Sequence, residues 1–419
     1  MTNKTLMQYF FILGNNPTLS VAEISAVFGL GANDTKCPIR RLVSSSVFIL
    51  ETSEDFDTRV LIKRLGGIIK IGEIKNEIDK KDLEKLKKEI IKLLKPEGGK
   101  FKFGFSYYGS GKLNLKPLAM ETKKYLREKN ISCRWVTSQE KTLSSVVVEQ
   151  NKLTSRGIEI VIIPTDNSLL GEGKGEVLIG QTLAVQPFKE LSFRDYGRPA
   201  RDDRSGMLPP KLAQIMINLA IRPSPLEGEG ARRAGEVLDP FCGSGTILTE
   251  AMLMGYQNLI GCDISEKAVS STKKNIEWTI EKLKAKSQKS KIFKSNVLLI
   301  SKFIEPNSIN AIITEPYLGP QRGNPNLQKT IPELEKLYSD SLAEFKKILK
   351  PDGRVVMIWP IFRVTHNTYR ISPNLGGFKI VNPIPGHLQN NPDIKLTDRN
   401  TIIYGRPDQK VWREIVVLE

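Results

Sequence analysis

Residues 237–251, VLDPFCGSGTILTEA, decide the fold of this chain. The segment opens with apolar residues typical of a strand, turns over residues 239–245 and continues with the spacing of a helix. Gly243 and Gly245 lack side chains where a backbone bends tightly and approaches a ligand. The start of a helix also has unpaired N–H groups that bind polar groups. The segment therefore predicts a strand, a glycine turn and a helix, with a ligand at the turn.

Two acidic residues accompany this turn. Asp239 opens it, and Asp263 ends the next apolar segment, NLIGCD. Asp263 follows the turn by about 20 residues, the spacing at which a nucleotide-binding unit holds ribose hydroxyls. A glycine turn alone can be a plain strand-to-helix connection. The second acid favours a cofactor site, in which both carboxylates face one ligand.

DPFCGSGT followed by an acid that closes the next strand resembles motif I and its partner in S-adenosylmethionine-dependent methyltransferases. It is less similar to the GxGxxG of dehydrogenases. The resemblance implies an α/β, Rossmann-like domain over residues 181–419, with a seven-stranded, mostly parallel sheet, helices on both faces and S-adenosyl-L-methionine as cofactor. It implies cofactor contacts by Asp239, Phe241, Gly243, Gly245, Thr246, Asp263 and Ile264.

The composition indicates several domains and a polyanionic partner. The chain has 419 residues, enough for two or three domains. Its 63 Lys and Arg residues outnumber 46 Asp and Glu residues, and the formal net charge of +17 favours nucleic acid as a partner. General solubility, or the lysine preference of an A/T-rich genome, would give the same excess. Charge alone therefore leaves the partner open.

The sequence predicts neither a metal site nor a disulfide scaffold. Its four cysteines are scattered without CxxC spacing, and it has only two histidines. No apolar run approaches the length of a signal-peptide core or a membrane span. We therefore expect a cytoplasmic protein without a membrane segment, with reduced cysteines.

Two α+β domains are expected before the methyltransferase domain. Residues 1–75 predict a ferredoxin-like domain that includes an amphipathic helix with Val21, Ile24 and Val27 or Phe28 on one face. Residues 76–180 predict a second domain, with strands at 101–107, 133–136, 145–149 and 158–163. The strand SSVVVEQN, a turn and the strand IEIVII resemble the closing part of a THUMP domain, an RNA-binding module.

Residues 191–220 begin with a dense polar block, LSFRDYGRPARDDRSGMLPPKLAQIMINLA. By itself the block predicts an exposed linker before a helix at 210–220. RDYGRPARD and SGMLPPKLA together, however, resemble a signature of the THUMP-containing tRNA guanosine-10 N2-methyltransferases, as FILGNNPTLSVAEISAVF resembles their N-terminus. The resemblance assigns the cofactor's methionine end to Ser205, Gly206, Met207 and Leu208. The guanidinium groups of Arg198 and Arg201 suit RNA phosphate.

Two features depart from that family. Residues 222–235, RPSPLEGEGARRAG, predict a surface-loop insertion where the family has a shorter connection. Asn296 stands where the family has an acid that holds the adenine amino group, and an amide oxygen can accept the same hydrogen bond.

Residues 314–320, TEPYLGP, directly follow an apolar strand and are expected beside the glycine turn. They resemble the DPPY-like motif of exocyclic-amine methyltransferases. There, carbonyls and a polar side chain accept hydrogen bonds from the amine, and the aromatic ring stacks on an extruded base. The resemblance assigns catalysis to Thr314, Glu315, Pro316 and Tyr317. Alignment on Tyr317 puts Thr314 in the acid's place, a one-residue gap puts Glu315 there, and the sequence leaves both open.

These motifs imply an S-adenosylmethionine-dependent tRNA methyltransferase that acts on the exocyclic N2 of a guanosine, at position 10 by the family resemblance. One alternative is a DNA or rRNA exocyclic-amine methyltransferase, and another is an RNA-binding protein whose catalytic site has decayed. Methylation of cytosine carbon 5 is disfavoured, because neither Cys242 nor Cys262 lies in the TEPY segment. The sequence leaves open the number of methyl groups, the oligomeric state and any helper subunit.

Overall fold

A computed structural model of the chain describes residues 6–30, 40–53, 55–79, 82–111, 113–165, 175–201, 207–222, 233–285, 289–320, 326–364 and 367–419. The chain divides into two compact units. Unit 1 comprises Met1–Pro17, Asn33–Lys63 and Ile68–Phe188, and unit 2 comprises Thr18–Ala32, Arg64–Gly67 and Lys189–Glu419. Among the helices described, none combines the length and apolar character needed to cross a membrane.

The strands, in chain order, are β1 (Met7–Leu13), β2 (Arg40–Ser44), β3 (Val47–Thr52), β4 (Ile68–Asp79), β5 (Phe101–Tyr107), β6 (Cys133–Val136), β7 (Gly157–Pro164), β8 (Glu176–Val185), β9 (Arg233–Asp239), β10 (Tyr256–Asp263), β11 (Lys289–Lys294), β12 (Ile309–Thr314), β13 (Leu349–Val364), β14 (Asn367–Arg370), β15 (Ile402–Tyr404) and β16 (Val411–Leu418). The helices are α1 (Pro17–Val27), α2 (Thr58–Arg64), α3 (Leu83–Leu93), α4 (Lys116–Glu128), α5 (Ser145–Gln150), α6 (Phe188–Tyr196), α7 (Pro210–Ile221), α8 (Thr246–Leu253), α9 (Glu266–Leu283) and α10 (Leu327–Ile348), with 3-10 helices at Val297–Lys302 and Gly386–Leu388.

Unit 1 contains one mixed sheet in the order β2-β3-β1-β4-β8-β7-β5-β6. Strands β5, β6 and β7 pair in parallel, and the other neighbours pair antiparallel. The sheet includes strands from both sequence ranges predicted as N-terminal domains. Strand β8 crosses residue 180, where the sequence predicts a boundary, and pairs with β4 and β7.

A buried polar cluster ties four strands of this sheet together. Lys70 on β4 donates to Glu159 on β7 over 2.5 Å, and the two side chains are 1% and 0% exposed. Ser106 and Thr182 also donate to the Glu159 carboxylate, over 2.5 and 2.6 Å. A buried charge is tolerated when it is paired and its remaining lone pairs are satisfied, as they are here.

The strand predicted at residues 145–149 is wrong, because this segment is the helix α5. Its valines favour a strand, but Ser144 precedes them and its side chain accepts a hydrogen bond from the amide of Val147. This N-cap starts a helix because it satisfies one of the free amides of the first turn. Local capping thus overrides the strand preference of a short valine run.

Unit 2 contains a sheet in the order β11-β10-β9-β12-β13-β16-β15. The five strands β9 to β13 are parallel, and β16 inserts antiparallel between β13 and β15. This arrangement confirms the predicted seven-stranded, mostly parallel sheet. The short β14 pairs with β13 beyond that pattern. Residues 233–235 belong to β9 rather than to the predicted insertion, whose residues 223–232 lie outside the described part of the chain.

Helix α1 belongs largely to unit 2, although β1 and β2 on either side of it belong to unit 1. The predicted amphipathic pattern is wrong, because buried side chains occur all round the helix, including Ser20 and Glu23. Glu23 accepts hydrogen bonds from the amides of Gly66 and Gly67 over 2.9 and 2.8 Å and from Asn218 Nδ2 over 2.8 Å. These bonds join α1 to α7 within unit 2.

Candidate active site

The glycine turn after β9 has the predicted conformation. Gly243 and Gly245 have φ angles of +52° and +81°, in the region that favours glycine. The amide of Gly245 donates to the carbonyl of Cys242 over 2.7 Å, and Thr272 Oγ1 on α9 donates to the carbonyl of Gly243 over 2.9 Å. The turn leads directly into α8, so strand, turn and helix follow one another as predicted.

Asp263, at the end of β10, holds this turn from the neighbouring strand. Its Oδ2 accepts a hydrogen bond from the amide of Gly243 over 3.0 Å, and its Oδ1 accepts one from the amide of Ser265 over 2.9 Å. Each carboxylate oxygen has further lone-pair capacity. The side chain can therefore also accept hydrogen bonds from the two hydroxyls of a ribose.

Asp239, at the end of β9, is 2% exposed. Its Oδ1 accepts hydrogen bonds from Thr314 Oγ1 over 2.8 Å and from the amide of Phe241 over 3.2 Å. Burial raises the pKa of Asp239 from its ordinary 3.8 to about 7; the two hydrogen bonds oppose the rise, and the charges of Asp263 and Glu315 add to it. A cationic group bound beside Asp239 would stabilise its charged form.

A cavity of about 870 Å³ lies at the carboxyl ends of β9, β10 and β12, entirely within unit 2. The predicted site residues that line it are Arg201, Met207, Leu208, Asp239, Phe241, Gly243, Thr246, Asp263, Ile264, Asn296, Glu315, Pro316 and Tyr317. The volume is in the range of small-molecule sites. The described residues Arg198, Gly245 and Thr314 lie outside its lining, whereas Ser205 and Gly206 lie outside the described residues.

The polar block before the cavity is partly buried rather than an exposed linker. Its residues 191–196 form the end of α6, where Arg194 Nε pairs with Glu250 on α8 over 2.8 Å, with side chains 9% and 2% exposed. Arg198 is 6% exposed and donates to Thr246 Oγ1 over 2.5 Å. A side chain buried in this way is not presented to an RNA phosphate. We therefore assign Arg198 to the support of α8.

Arg201 remains the predicted phosphate contact of this block. Its side chain lines the cavity, and its guanidinium lies over the ring of Tyr196 at 5.2 Å from the centroid. Tyr196 is 68% exposed. An arginine and an aromatic ring stacked at the edge of a cavity suit a nucleic acid, because the cation binds phosphate and the ring can stack on a base.

Asn296 lies at the cavity but not on a strand. Strand β11 ends at Lys294, and Asn296 caps the following 3-10 helix, with its Oδ1 accepting a hydrogen bond from the amide of Leu298 over 3.1 Å. The oxygen has a second lone pair for a ligand donor. The prediction that Asn296 binds an adenine amino group is compatible with this geometry.

The TEPY segment meets the glycine turn at the cavity. Thr314 is fully buried, and its hydroxyl donates to Asp239. Glu315 lines the cavity and accepts a hydrogen bond from Arg413 Nε over 2.6 Å. Tyr317 is 59% exposed at the cavity, and its carbonyl accepts a hydrogen bond from Tyr338 Oη over 3.0 Å. The sequence leaves two candidates for the position of the motif's acid, Thr314 and Glu315. Of these, Glu315 lines the cavity and Thr314 does not.

Sequence reasoning missed Arg413 and Tyr338. Arg413 lies on β16, 98 residues beyond Glu315, and Tyr338 lies on α10, 21 residues beyond Tyr317. Neither residue belongs to a motif. Their role depends on the reversed strand β16 and on the packing of α10, which a sequence pattern does not place residue by residue.

The two cysteines near the cavity are poorly suited to act as nucleophiles. Cys242 and Cys262 are 4% and 0% exposed. Burial, followed by the charge of Asp239, raises the pKa of both thiols, that of Cys262 to about 12. A protonated thiol is a poor nucleophile.

Residues 198–374 match the model of an RMKL-like methyltransferase domain. This range includes the glycine turn and the TEPY segment. This part of the chain is similar to a methyltransferase domain. A second family model, described as DNA methylase, matches residues 74–274.

Three curated relatives of this chain share one name. The chain is 31% identical to the tRNA (guanine(10)-N2)-dimethyltransferase of Methanocaldococcus jannaschii over 194 residues, and this stretch is 44% of the chain and 48% of that protein. Proteins of the same name from Methanothermobacter thermautotrophicus and Pyrococcus abyssi are 28% identical over 37% and 41% of this chain and 39% and 43% of theirs. The chain thus spans about half the length, or less, of the curated relatives it matches. The predicted resemblance to the guanosine-10 N2-methyltransferases is confirmed.

A solved structure extends the likeness in fold. The crystal structure of TrmN from Thermus thermophilus is similar over 99% of both chains, with a TM-score of 0.50 and 16% identity. At this identity the similarity shows a shared fold. The predicted Rossmann-like methyltransferase fold is confirmed.

Proposed function

We propose that this protein is an S-adenosylmethionine-dependent methyltransferase that modifies the exocyclic N2 of a guanosine in tRNA. The observation that carries the proposal is a single cavity lined by the glycine turn, Asp263 and the TEPY segment. The names of the curated relatives support tRNA as substrate and guanosine-10 as the target.

The cavity residues fit this cofactor. The glycine turn gives close backbone approach, and Asp263 offers carboxylate oxygens to ribose hydroxyls. Phe241 and Ile264 supply apolar surface, and Asn296 offers an amide oxygen for the adenine amino group. Asp239 adds a buried carboxylate near the methionine end, where Met207 and Leu208 also line the cavity. The ribose hydroxyls, the adenine amino group and the methionine ammonium group thus each have an acceptor of suitable chemistry.

S-adenosylmethionine, when held by these residues, would supply a methyl group activated by its sulfonium, and the electrons of the C–S bond would stay with sulfur. The chain's part is alignment. Tyr317, exposed at the cavity, is placed to stack on an extruded base, while Glu315 accepts from its amine. Holding the amine in line with the methyl group supplies much of the rate.

Unit 1 is proposed to bind the RNA, with a THUMP domain within residues 76–180. The formal charge of +17 supports a polyanionic partner. Lys124, Arg127 and Lys129, in and just after α4, are exposed to solvent. Binding through such cations should weaken steeply as salt rises, because it releases counterions from the RNA.

The experiment that tests the function is transfer of a labelled methyl group to an unmodified tRNA transcript, followed by nucleoside analysis. We expect labelled N2-methylguanosine or N2,N2-dimethylguanosine. Cofactor binding without transfer to tRNA would contradict the substrate, and absence of cofactor binding would leave the decayed RNA-binding protein. The match to the DNA methylase model favours duplex DNA as the second candidate substrate, so DNA is assayed in parallel.

Tyr317→Ala tests the site itself. Loss of a stacking contact of about 1–3 kcal/mol should lower kcat/KM for tRNA roughly 10- to 100-fold and leave the cofactor Kd unchanged. Tyr369→Ala, which removes a 40% exposed tyrosine on β14, is the matched control. An equal loss of kcat/KM in the two variants would mean that Tyr317 does not contact the substrate.

A further inference from the structure

The carboxylate of Glu315 is held in a fixed direction at the cavity. Arg413 Nε donates to its Oε1 over 2.6 Å, and the two side chains are only 11% and 14% exposed, Arg413 and Glu315 respectively. Glu315 lines the cavity. Its Oε2 has no hydrogen-bond partner among the residues that the structure describes. The pair therefore leaves one carboxylate oxygen available to a ligand in the cavity.

Thr314 does not compete for this role. Its hydroxyl donates to Asp239 Oδ1 from a fully buried position, and its side chain does not line the cavity. In the DPPY-like pattern the residue at this place supplies the polar acceptor. In this chain the available acceptor is the next residue, Glu315. Its carboxylate is held by a hydrogen bond from Arg413 on β16.

We propose that Arg413 is a positioning residue that aims Glu315 Oε2 at the N1–H and N2–H groups of the target guanine, so that the pair selects guanine. The proposal rests on the proposed function. Guanine carries two adjacent donors on this edge, and one carboxylate oxygen has lone pairs for both. A charged acceptor makes such hydrogen bonds stronger than a neutral one.

The same arrangement rejects the other amine-bearing bases. In adenine and cytosine the ring nitrogen beside the exocyclic amine is an acceptor, so its lone pair would face the Glu315 carboxylate. Burying two acceptors against each other leaves both unsatisfied, and sites built on hydrogen bonds discriminate strongly for this reason. The Glu315–Arg413 pair thus explains selection of guanine over adenine and cytosine. No further polar residue is required at the N1 and N2 edge of the base.

The pair also accommodates the proton that methyl transfer releases. When the N2 lone pair forms the new N–C bond, the nitrogen becomes cationic and loses one N–H proton. In this arrangement Glu315 Oε2 is the acceptor nearest to that proton. The carboxylate takes up the proton and then releases it to water. Arg413 keeps its charge throughout and holds Oε1.

The role of Arg413 is tested with Arg413→Met and Arg413→Lys in the full-length protein. We expect Arg413→Met to lower kcat on tRNA roughly 10- to 100-fold with the cofactor Kd unchanged, and Arg413→Lys to recover part of the loss. Arg354→Met is the control. The Arg354 side chain is 12% exposed and pairs with Glu419, and the residue lies on β13 opposite Ala311, near the start of β12. Equal activity of Arg413→Met and Arg354→Met would overturn the assignment.

Base selection is tested with 2-aminopurine in place of the methylated guanosine. 2-Aminopurine keeps the N2 amine but has a lone pair at N1. We expect the wild-type protein to prefer guanosine by at least about 100-fold in kcat/KM. Glu315→Gln should lower the ratio of kcat/KM for guanosine to that for 2-aminopurine at least about tenfold. The reason is that the Gln amide N–H can donate to N1 of 2-aminopurine and repels N1–H of guanine. This ratio does not respond to a general loss of stability.

Two results separate the failures. If wild-type protein methylates N2 of tRNA guanosine but Glu315→Gln keeps the wild-type preference for guanosine, the pairing is wrong and the proposed function stands. If wild-type protein binds cofactor and methylates no tRNA guanosine, the proposed function itself fails. Cofactor affinity, measured by calorimetry, verifies that each variant is folded.

Discussion

Asp239 shows how one buried residue couples the site to pH. Its pKa of about 7 lies above the ordinary 3.8, mainly because burial penalises the charged form. Between these two values the unfolded carboxylate is ionised while the folded one keeps its proton. The folded state therefore binds more protons in this window, and its stability falls as pH rises through it. Above about pH 7 the stabilisation that the protonated Asp239 contributes is fully lost.

Asp239→Asn removes this dependence because the amide does not titrate. We expect the free energy of unfolding of the variant to rise relative to wild type by roughly 2–3 kcal/mol between about pH 5 and pH 8. Denaturant titrations near the two pH values measure the difference. Glu281→Gln, at an exposed position on α9, is the control. Parallel pH curves for wild type and Asp239→Asn would contradict the shifted titration.

Residue types with a fixed backbone or motif role could be predicted from the sequence. Gly243 and Asp263 follow from the geometry of a strand-to-helix turn, and their contact at 3.0 Å spans 20 residues of one strand–helix–strand unit. Arg413 could not be predicted, because its pairing with Glu315 depends on the register of a strand far along the chain. The burial of Arg198 could not be predicted either, because charge in a sequence does not reveal burial.

At the scale of elements, the junction between the glycine turn and α8 has no room for a side chain. A Cβ added at Gly245 would lie 2.9 Å from Thr272 Cγ2 of α9, and φ at this residue is +81°. Gly377 has a similar φ of +88°, yet a Cβ there would meet no atom within 4 Å. Both glycines thus have a left-handed backbone, but only Gly245 is packed against a neighbouring side chain.

Gly245→Ala should therefore cost more than Gly377→Ala. We expect about 1–2 kcal/mol of lost stability for each from the left-handed backbone. Gly245→Ala should lose more because α9 must shift, and it should weaken cofactor binding, which Gly377→Ala leaves unchanged. Thermal unfolding and cofactor calorimetry on both variants give the comparison. Equal effects would mean that the turn tolerates a side chain.

An element could be predicted where packing agrees with the sequence pattern, as for the apolar strand before TEPY, which is β12. The errors occur where another force decides. Ser144 turns a valine run into α5 by capping it, and α1 is buried on all sides although its pattern predicts one apolar face. An element that is buried all round carries no clear period, so the sequence alone does not reveal its neighbours.

At the scale of the whole molecule, sequence order and unit membership differ. Unit 2 takes Thr18–Ala32 and Arg64–Gly67 from the N-terminal part of the chain. Sequence patterns predict a methyltransferase domain over residues 181–419, because motif I and TEPY both lie there. They give no sign that a helix from near the N-terminus completes this unit, since Glu23 carries no motif and its partner Asn218 is 195 residues away.

A fragment of residues 181–419 should consequently be less stable than unit 2 in the full chain. Asn218 is fully buried, and its Nδ2 donates to Glu23 and to the carbonyl of Arg64 over 2.8 and 2.9 Å. Both acceptors are absent from the fragment, so part of α7 becomes exposed there. We expect the fragment to unfold at a lower temperature than the full chain.

Asn218→Ala distinguishes this cause from a general effect of truncation. In the full chain the substitution leaves the Glu23 carboxylate, fully buried, without one of its three donors, and should cost about 1–3 kcal/mol. In the fragment, where Asn218 has lost Glu23 and Arg64 already, the same substitution should cost much less. Denaturant unfolding of the four proteins gives the coupling directly. An equal loss in both backgrounds would mean that α1 stabilises the methyltransferase unit by some route other than the Glu23–Asn218 contact.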